Sequence, residues 1–465
     1  MHFGEKLGNS KQKNSMGILS SLTREQKEAV GLLQIGTFLE YFDLMLYVHM
    51  AVLLNELFFP KTDPHTAALL TAFAFCSTYI LRPFGALIFG WIGDNIGRKT
   101  TVIITTVMMS VSCVIMANLP TYAQIGVAAA WILTVCRIIQ GLSSMGEIIG
   151  AEIYITEITK PPTQYTATSF LSIASGLGTV FALGIANLVT HYDFNWRVAF
   201  WIGAGIAVVG SIARTRLRET PEFIEGTRKL KRKLEKRWKN EKREAVETIN
   251  FEKHIHQEPI SKKTFIACFL NYCGWPISFY LVFMYFNPFL KATYGYSSED
   301  IISHNFFLSI FSLLVAIFGS FLSYKIHPLK ILYCRGIFFL IFSVLFPLLM
   351  NITTTPFHVG ILQACFLMTA LSVSPAESVL IKNISTFKRF TVTSFVYATT
   401  RAVMYILTSF GLVYLTEWFG HYGLLFICIP VAIGFLYGVN HFIKLEKASG
   451  NFPEPSTIDK ALATR

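Results

Sequence analysis

Gly90-Trp-Ile-Gly-Asp94-Asn-Ile-Gly97-Arg98-Lys99 decides how this chain of 465 residues is read. The run packs a carboxylate, tight-turn glycines and a basic pair between two apolar stretches. Glycine permits backbone turns that other residues resist. Asp94 and Arg98 can each pair with a charge or a helix end on a neighbouring segment. Built this way, and too short to be a domain, the run joins two membrane-crossing helices while gripping a third. Gly90, Asp94, Gly97 and Arg98 are therefore read as conformational gating residues.

Composition agrees with a membrane setting. Apolar residues make up 53% of the chain and charged residues 15%, against roughly 25% charged in soluble proteins. Apolar runs long enough to cross a hydrocarbon core of about 30 Å recur along the sequence. Twelve are read, at about 29–57, 66–92, 100–118, 122–153, 166–190, 195–213, 263–290, 302–324, 329–350, 356–381, 390–416 and 421–443. The expected fold class is an all-α integral membrane protein of twelve transmembrane helices in two six-helix halves. No cleavable signal peptide is expected, because the first thirty residues are polar.

The net charge of +12 raises a nucleic-acid partner, and its distribution argues against one. Sixteen Lys and Arg lie between Arg214 and Lys263, mixed with nine acidic residues. Others sit in the two tails, at Arg98-Lys99, at Lys325 and Lys330, and at Lys382, Lys388 and Arg389. The alternate loops hold Lys61 and Lys291. This asymmetry predicts that both termini and the long middle loop are cytoplasmic. The eight cysteines fall in apolar spans without metal-ligand spacing, so they are read as small hydrophobes and no metal is expected.

The expected organisation is an N-terminal tail over 1–28, a six-helix bundle over 29–213, a basic linker over 214–262, a second bundle over 263–443 and a tail over 444–465. Within the linker, Leu230–Trp238 reads as an amphipathic basic helix or as a plain solvated connector. Paired six-span halves with a substrate site near the membrane midplane are a transporter arrangement. The second-half counterpart of the opening motif is Ser323-Tyr-Lys325-Ile-His327-Pro-Leu-Lys330, which keeps basic residues but lacks the Asp and the glycines.

Ionisable residues inside a membrane are costly, and so are functional candidates by default. Glu40, Asp43 and Tyr47 are spaced by three, four and seven, which sets them on one face of the first span. The fourth span carries Arg137, Gln140, Ser144 and Glu147 on adjoining rows. These residues form the expected proton-coupling and substrate site: Glu40, Asp43, Tyr47, Arg137, Gln140 and Glu147. Two other readings stay open, a structural hydrogen-bond cluster and a permanent ion pair of Arg137 with Glu40 or Asp43. Arg82 is expected to snorkel toward the cytoplasm. Asn271, Tyr272 and Trp275-Pro276 are candidates to line a cavity, with Pro276 breaking the seventh span. Glu377 and Arg401 fall in the tenth and eleventh spans with no pattern to assign them. No catalytic constellation is present, and an enzyme is not expected.

The motifs together resemble the metabolite:proton symporter family of the major facilitator superfamily. Glu40-Tyr-Phe-Asp43 with Tyr47 resembles its first-span block, and Arg82-Pro83-x-Gly85 followed by Gly90–Lys99 its second span and loop. Arg137-x-x-Gln140-Gly141 with Gly146-Glu147-x-x-Gly150 resembles its fourth-span signature. Trp196-Arg197 through Arg218-Glu219-Thr220-Pro221 resembles the segment around its sixth span. Thr37, Tyr41 and Asn95 depart from the family's usual residues, as do Val392 and Ala398 in the second half.

The resemblance implies alternating access coupled to protons, with Glu40, Asp43 and Glu147 as coupling groups and Arg137 as a substrate or charge-balance residue. It implies a monomer in a bacterial inner membrane that moves a small molecule, driven by a proton gradient and needing no cofactor. Proline or betaine is the expected substrate. The alternatives are a di- or tricarboxylate such as citrate or 2-oxoglutarate, a proton-independent facilitator, and a transport-dead membrane sensor. The tail after the last span shows no heptads, so an osmosensing coiled coil is not expected.

Overall fold

The computed structural model describes residues 22–58, 79–191, 195–215, 218–220, a few positions within 224–232, and 261–453. The front of the second span, the Leu230–Trp238 segment apart from Arg232, and both extreme tails lie outside the described residues.

The first half comprises α1 (Arg24–Phe58), α2 (Arg82–Asn95), α3 (Arg98–Ala117), α4 (Val127–Ile158), α5 (Thr163–His191) and α6 (Arg197–Arg214). α1 starts five residues earlier than hydropathy suggests, because Thr23 and Gln26 form a reciprocal cap over its first turn. The second half is more broken. Its seventh span runs through α7 (Lys262–Tyr272), α8 (Gly274–Tyr280), a π-turn at Leu281–Tyr285 and α9 (Phe286–Tyr294). Pro276 has no N–H for the Tyr272 carbonyl, and the helix is interrupted there as expected. Then follow α10 (Ser298–Lys325), α11 (Pro328–Asn351), α12 (Pro356–Thr369), α13 (Glu377–Lys382), α14 (Arg389–Ile406), a π-turn at Leu407–Gly411, α15 (Leu412–Phe419) and α16 (Leu425–Ala448).

The tenth span corrects the sequence reading of a continuous helix over 356–381. It is two helices, α12 and α13, joined by a non-helical stretch over 370–376 that turns at Ser374-Pro375. Pro375 cannot continue a helix, and the freed backbone groups find partners inside the protein. The Leu371 N–H donates to Ser278 Oγ at 3.1 Å, and the Ser374 carbonyl accepts from Arg335 Nη1 at 3.1 Å. Internal satisfaction of this kind is what lets irregular backbone sit at membrane depth.

The surface is apolar and several charged residues are buried, unlike a water-soluble bundle. Phe307, Phe318, Phe338 and Trp418 face outward, while Glu40, Asp43, Arg98, Arg137 and Glu157 are buried. Apolar side chains on the outside, with charged ones enclosed in a largely apolar core, suit lipid as solvent. Among the described residues, eight helices are long and apolar enough to cross a membrane, and 197–210 and 356–369 are shorter apolar helices. The second span lies partly outside the described residues. The eleventh, α14 with α15, is diluted by Thr391, Thr393, Ser394, Tyr397, Thr400 and Arg401.

The halves meet along two seams, α5 against α10 and α2 against α14, with the end of α4 touching α13 and α14. Ser169 and Ser320 share a hydrogen bond of 2.7 Å across the first seam. The second seam depends on glycine. A Cβ added at Gly90 would lie 2.7 Å from the Thr391 Cα, and one at Gly93 would enter the Phe390 ring. Gly90→Ala is therefore expected to force α2 and α14 apart, at about 1–3 kcal/mol for overpacking. A lower thermal-unfolding midpoint checks this; an unchanged midpoint would show that α14 yields without strain.

Candidate functional site

The opening motif does grip a third helix. Asp94, at the end of α2, accepts the Phe390 N–H at 3.1 Å, and the Thr391 N–H and Oγ1 each at 2.8 Å. These are the free N–H groups of the first turn of α14, a natural seat for a carboxylate. Gly97 takes φ 144°, a backbone setting that side chains resist, and this turns the chain into α3. Arg98 is wholly buried. Its guanidinium reaches the Gly93 carbonyl at 2.6 Å, Asp94 at 3.4 Å, the Thr386 carbonyl at 2.8 Å and Glu157 at 3.2 Å. Glu157, at the end of α4, also pairs with Arg389 at 3.0 Å and accepts from Thr220 Oγ1 at 2.6 Å. Glu219 accepts the backbone N–H groups of Arg98 and Lys99 at 3.1 and 3.2 Å. The result is a charged clasp closing one end of the bundle across both halves.

Asp94 lies beyond the end of the second span. Burial pushes its carboxyl up from the ordinary 3.8 to about 6, against the opposing pull of Arg98 and of the Thr391 and Phe390 hydrogen bonds. A folded-state value above the unfolded one means that the folded chain binds the proton more readily. The charged form thus costs stability above about 6, and stability is recovered as pH falls toward 3.8. Unfolding midpoints of the wild type and Asp94→Asn, compared across this window, should show the wild type gaining on the variant as pH drops. A gap that does not move with pH would contradict this. At the equivalent place in the second half, rings stand in for charges: His327 packs on Tyr165 and Phe452, at centroid distances of 5.6 and 4.8 Å.

The first-half candidates converge, with one exception. Asp43 stands 3.7 Å from Arg137 Nη1, and the guanidinium lies 3.9 Å over the Tyr47 ring. Gln140 Oε1 accepts from Arg137 at 2.9 Å, and Cys113 donates to Asp43 at 3.4 Å. Glu40 lines the same small cleft, together with Arg82 and Ser144. Glu147 is elsewhere: its carboxylate accepts from Thr106 Oγ1 on α3 at 2.7 Å. Arg82 corrects the snorkelling expectation, being only 2% exposed and stacked 4.4 Å over Tyr79. The apolar run over 66–92 already held it well inside the span, and the Tyr79 ring gives its guanidinium a partner there.

Between the halves lies a cavity of about 160 Å³. Tyr41, Tyr79, Arg82 and Glu152 line it from the first half, and Trp275, Phe279, Arg335, Glu377, Tyr397 and Arg401 from the second. The Arg401 guanidinium lies 3.2 Å over the Tyr397 ring, and its Nη1 is buried without a hydrogen-bond partner among the described residues. Glu152 and Glu377 line the cavity from opposite halves, and the Tyr272 hydroxyl donates to Glu377. The cavity thus presents a guanidinium, a carboxyl pair and aromatic faces to one small volume.

A family model for the Major Facilitator Superfamily matches residues 33–411. The chain belongs to the major facilitator superfamily. It is a multi-pass membrane protein of that superfamily's twelve-helix fold. The proline/betaine transporter of Salmonella typhimurium is 32% identical over 211 residues, covering 44% of this chain and 42% of that protein. The inner membrane metabolite transport protein YhjE of Escherichia coli is 36% identical over 197 residues, covering 41% of this chain and 45% of that protein. The chain spans less than half the length of these relatives. The proton:xylose symporter XylE shares the fold, with a TM-score of 0.66 at 15% identity over 92% of this chain and 96% of that one.

Within this major facilitator chain, sequence reasoning left Glu152, Glu377 and Arg401 without a role. Glu152 sits one helical turn and a residue beyond Glu147, on a stretch already rich in signal. Its partners come from more than two hundred residues away, and no spacing rule reaches that far.

Proposed function

We propose that this chain is a secondary active transporter that imports a small zwitterion, proline or betaine first, together with protons by alternating access. The observation that carries the reading is the cavity itself. Arg401 offers a free guanidinium N–H to a carboxylate. In the same cavity, Trp275, Phe279 and Tyr405 offer aromatic rings to an ammonium or quaternary nitrogen. A site built to hold both ends of a zwitterion needs both elements. The names of the relatives support the same class.

In this mechanism the clasp of Asp94, Arg98, Glu157 and Arg389 is the cytoplasmic gate, oriented by the positive-inside charge pattern. Asp43 is the coupling group: protonation neutralises it and releases Arg137 from their pair. Tyr47 and Gln140 hold the guanidinium in place meanwhile. Glu40 shares the cleft, and Glu147 is left holding α4 to α3. The protein works as a monomer in a bacterial inner membrane, with the proton gradient as its driving force. The two six-helix bundles, 29–213 and 263–443, are the rocking bodies.

Asp43→Asn should abolish accumulation driven by a proton gradient while sparing substrate exchange. Retained accumulation would remove Asp43 from coupling. A second reading, a di- or tricarboxylate, is favoured by the count of cations. Arg82 and Arg335 line the cavity beside Arg401, more positive charge than the sequence reading allowed. The deciding experiment is uptake of labelled proline, betaine, citrate and 2-oxoglutarate into proteoliposomes with an inside-alkaline gradient. Accumulation of proline or betaine supports the proposal, and accumulation of a carboxylate alone supports the second reading. Equilibration without dependence on the gradient would overturn proton coupling.

A further inference from the structure

We infer that the segment following the last span, through Phe452, is a latch that fastens the two halves together at the clasp end, along the seam of α5 and α10. The clasp ties α2 and α4 to α14. On the other seam, the second-half counterpart of the opening motif over 323–330 lacks the Asp and the glycines. A stack of three rings occupies that place instead. Tyr165 supplies the first ring from α5, in the first half. His327 stands in the middle, in the turn between α10 and α11, with its ring centroid 5.6 Å from that of Tyr165. Phe452, from beyond α16, lies 4.8 Å from His327 on the same measure.

The end of α16 is shaped to deliver that last ring. The helix stops at Ala448, and Gly450 takes φ 73°, a left-handed setting that glycine adopts without strain. The Asn451 and Phe452 N–H groups then both donate back to the Glu446 carbonyl, at 3.0 and 3.2 Å. The chain is thereby folded against the bundle instead of running on into water. Glu446 is buried, and its carboxylate accepts from Asn383 Nδ2 at the end of α13, at 3.4 Å. Two ammonium groups flank the Phe452 ring, Lys447 of α16 at 5.6 Å and Lys330 of α11 at 5.7 Å. Both distances fall within the range at which a cation is drawn to an aromatic face.

His327 is the relay. Its Nδ1 accepts the Leu329 N–H at 3.4 Å and so caps α11. An accepting Nδ1 leaves the proton of the neutral ring on Nε2. That Nε2 is buried, with no hydrogen-bond partner among the described residues. Burial, with the Lys330 charge nearby, pushes the imidazole down to about 4, so the ring is neutral near pH 7. A neutral ring N–H shut away from water has the Tyr165 and Phe452 rings as its neighbours. Removing the Phe452 ring opens this edge of His327 to water and takes away the backing that presses it on Tyr165. A change made after the last span is thus felt on α5, in the opposite half.

The inference rests on the alternating-access reading only for the motion that the latch restrains, and its test uses no substrate. Amide hydrogen exchange of the full chain in nanodiscs is compared between the wild type and Phe452→Ala. Amides over 165–171, in the first half, should exchange several-fold faster in the variant. Phe452→Tyr, which keeps a ring, should restore the wild-type rates, and Phe452→Leu should not. Faster exchange confined to 445–453 and 326–330 would show that the segment packs on its own half alone, and would overturn the inference. Equal acceleration over every helix would mark general loosening and overturn it too. Wild-type rates over 165–171 in Phe452→Leu would assign the effect to apolar bulk and remove the ring stack. Absence of proline uptake by a chain that shows the expected exchange pattern would count against the transport reading alone.

Discussion

Glu157→Gln should open the clasped end of the bundle and lower stability more than any other single change at that end. Glu157 stands between two buried guanidinium groups, Arg98 at 3.2 Å and Arg389 at 3.0 Å, one from each half. Glutamine keeps the shape and a carbonyl acceptor but removes the charge that both arginines face. Breaking a buried pair by removing one partner costs roughly 3–5 kcal/mol, since the other charge is left uncompensated. Arg98 is wholly buried, so it cannot reach water without the bundle moving. The expected results are a large drop in unfolding midpoint and faster alkylation of a cysteine placed at Thr386. A variant with wild-type stability and no gain in alkylation would show that the other partners of Arg98 hold the clasp alone.

Arg401→Lys should cost most of the substrate affinity while leaving the fold intact. The guanidinium is planar, stacks 3.2 Å over Tyr397, and keeps an N–H free for a carboxylate. A lysine ammonium is a point charge that neither stacks in this way nor presents two parallel donors. Truncating one side of a buried charge pair costs roughly 2–5 kcal/mol, which is about thirtyfold or more in affinity. Equilibrium binding of labelled proline or betaine to purified protein, with the unfolding midpoint as control, measures this. Unchanged affinity would move the carboxylate contact to Arg82 or Arg335 and favour the anion reading.

What the sequence made legible follows from range. The gating loop is a local device: Gly90, Asp94, Gly97 and Arg98 lie within ten positions, and their chemistry implies a nearby helix end to grip. The cluster of Asp43, Tyr47, Arg137 and Gln140 was readable because two helical faces each carried their polar residues in register. The break in the tenth span carried a signal, Ser372-Val-Ser374-Pro375, that its apolar surroundings outweighed. Arg82 was misread because nothing in its spacing shows that the guanidinium is buried against the Tyr79 ring. The cavity was not legible. Glu152, Glu377 and Arg401 acquire meaning from one another, and they lie on helices that only tertiary packing brings together.

The partners of Glu157 are not shared evenly between the halves. Arg98 and Thr220 belong to its own side, and Arg389 alone comes from across the boundary. Likewise the caps from Glu219 stay with α3. When the bundle parts, the cluster therefore tears along a line already drawn between Glu157 and Arg389, between Arg98 and the Thr386 carbonyl, and between Asp94 and α14. The carboxylate keeps a cation on one side of the tear, and the cation that departs leaves toward water. Neither charge is stranded in the interior, so the same fastening can be undone and remade on every cycle.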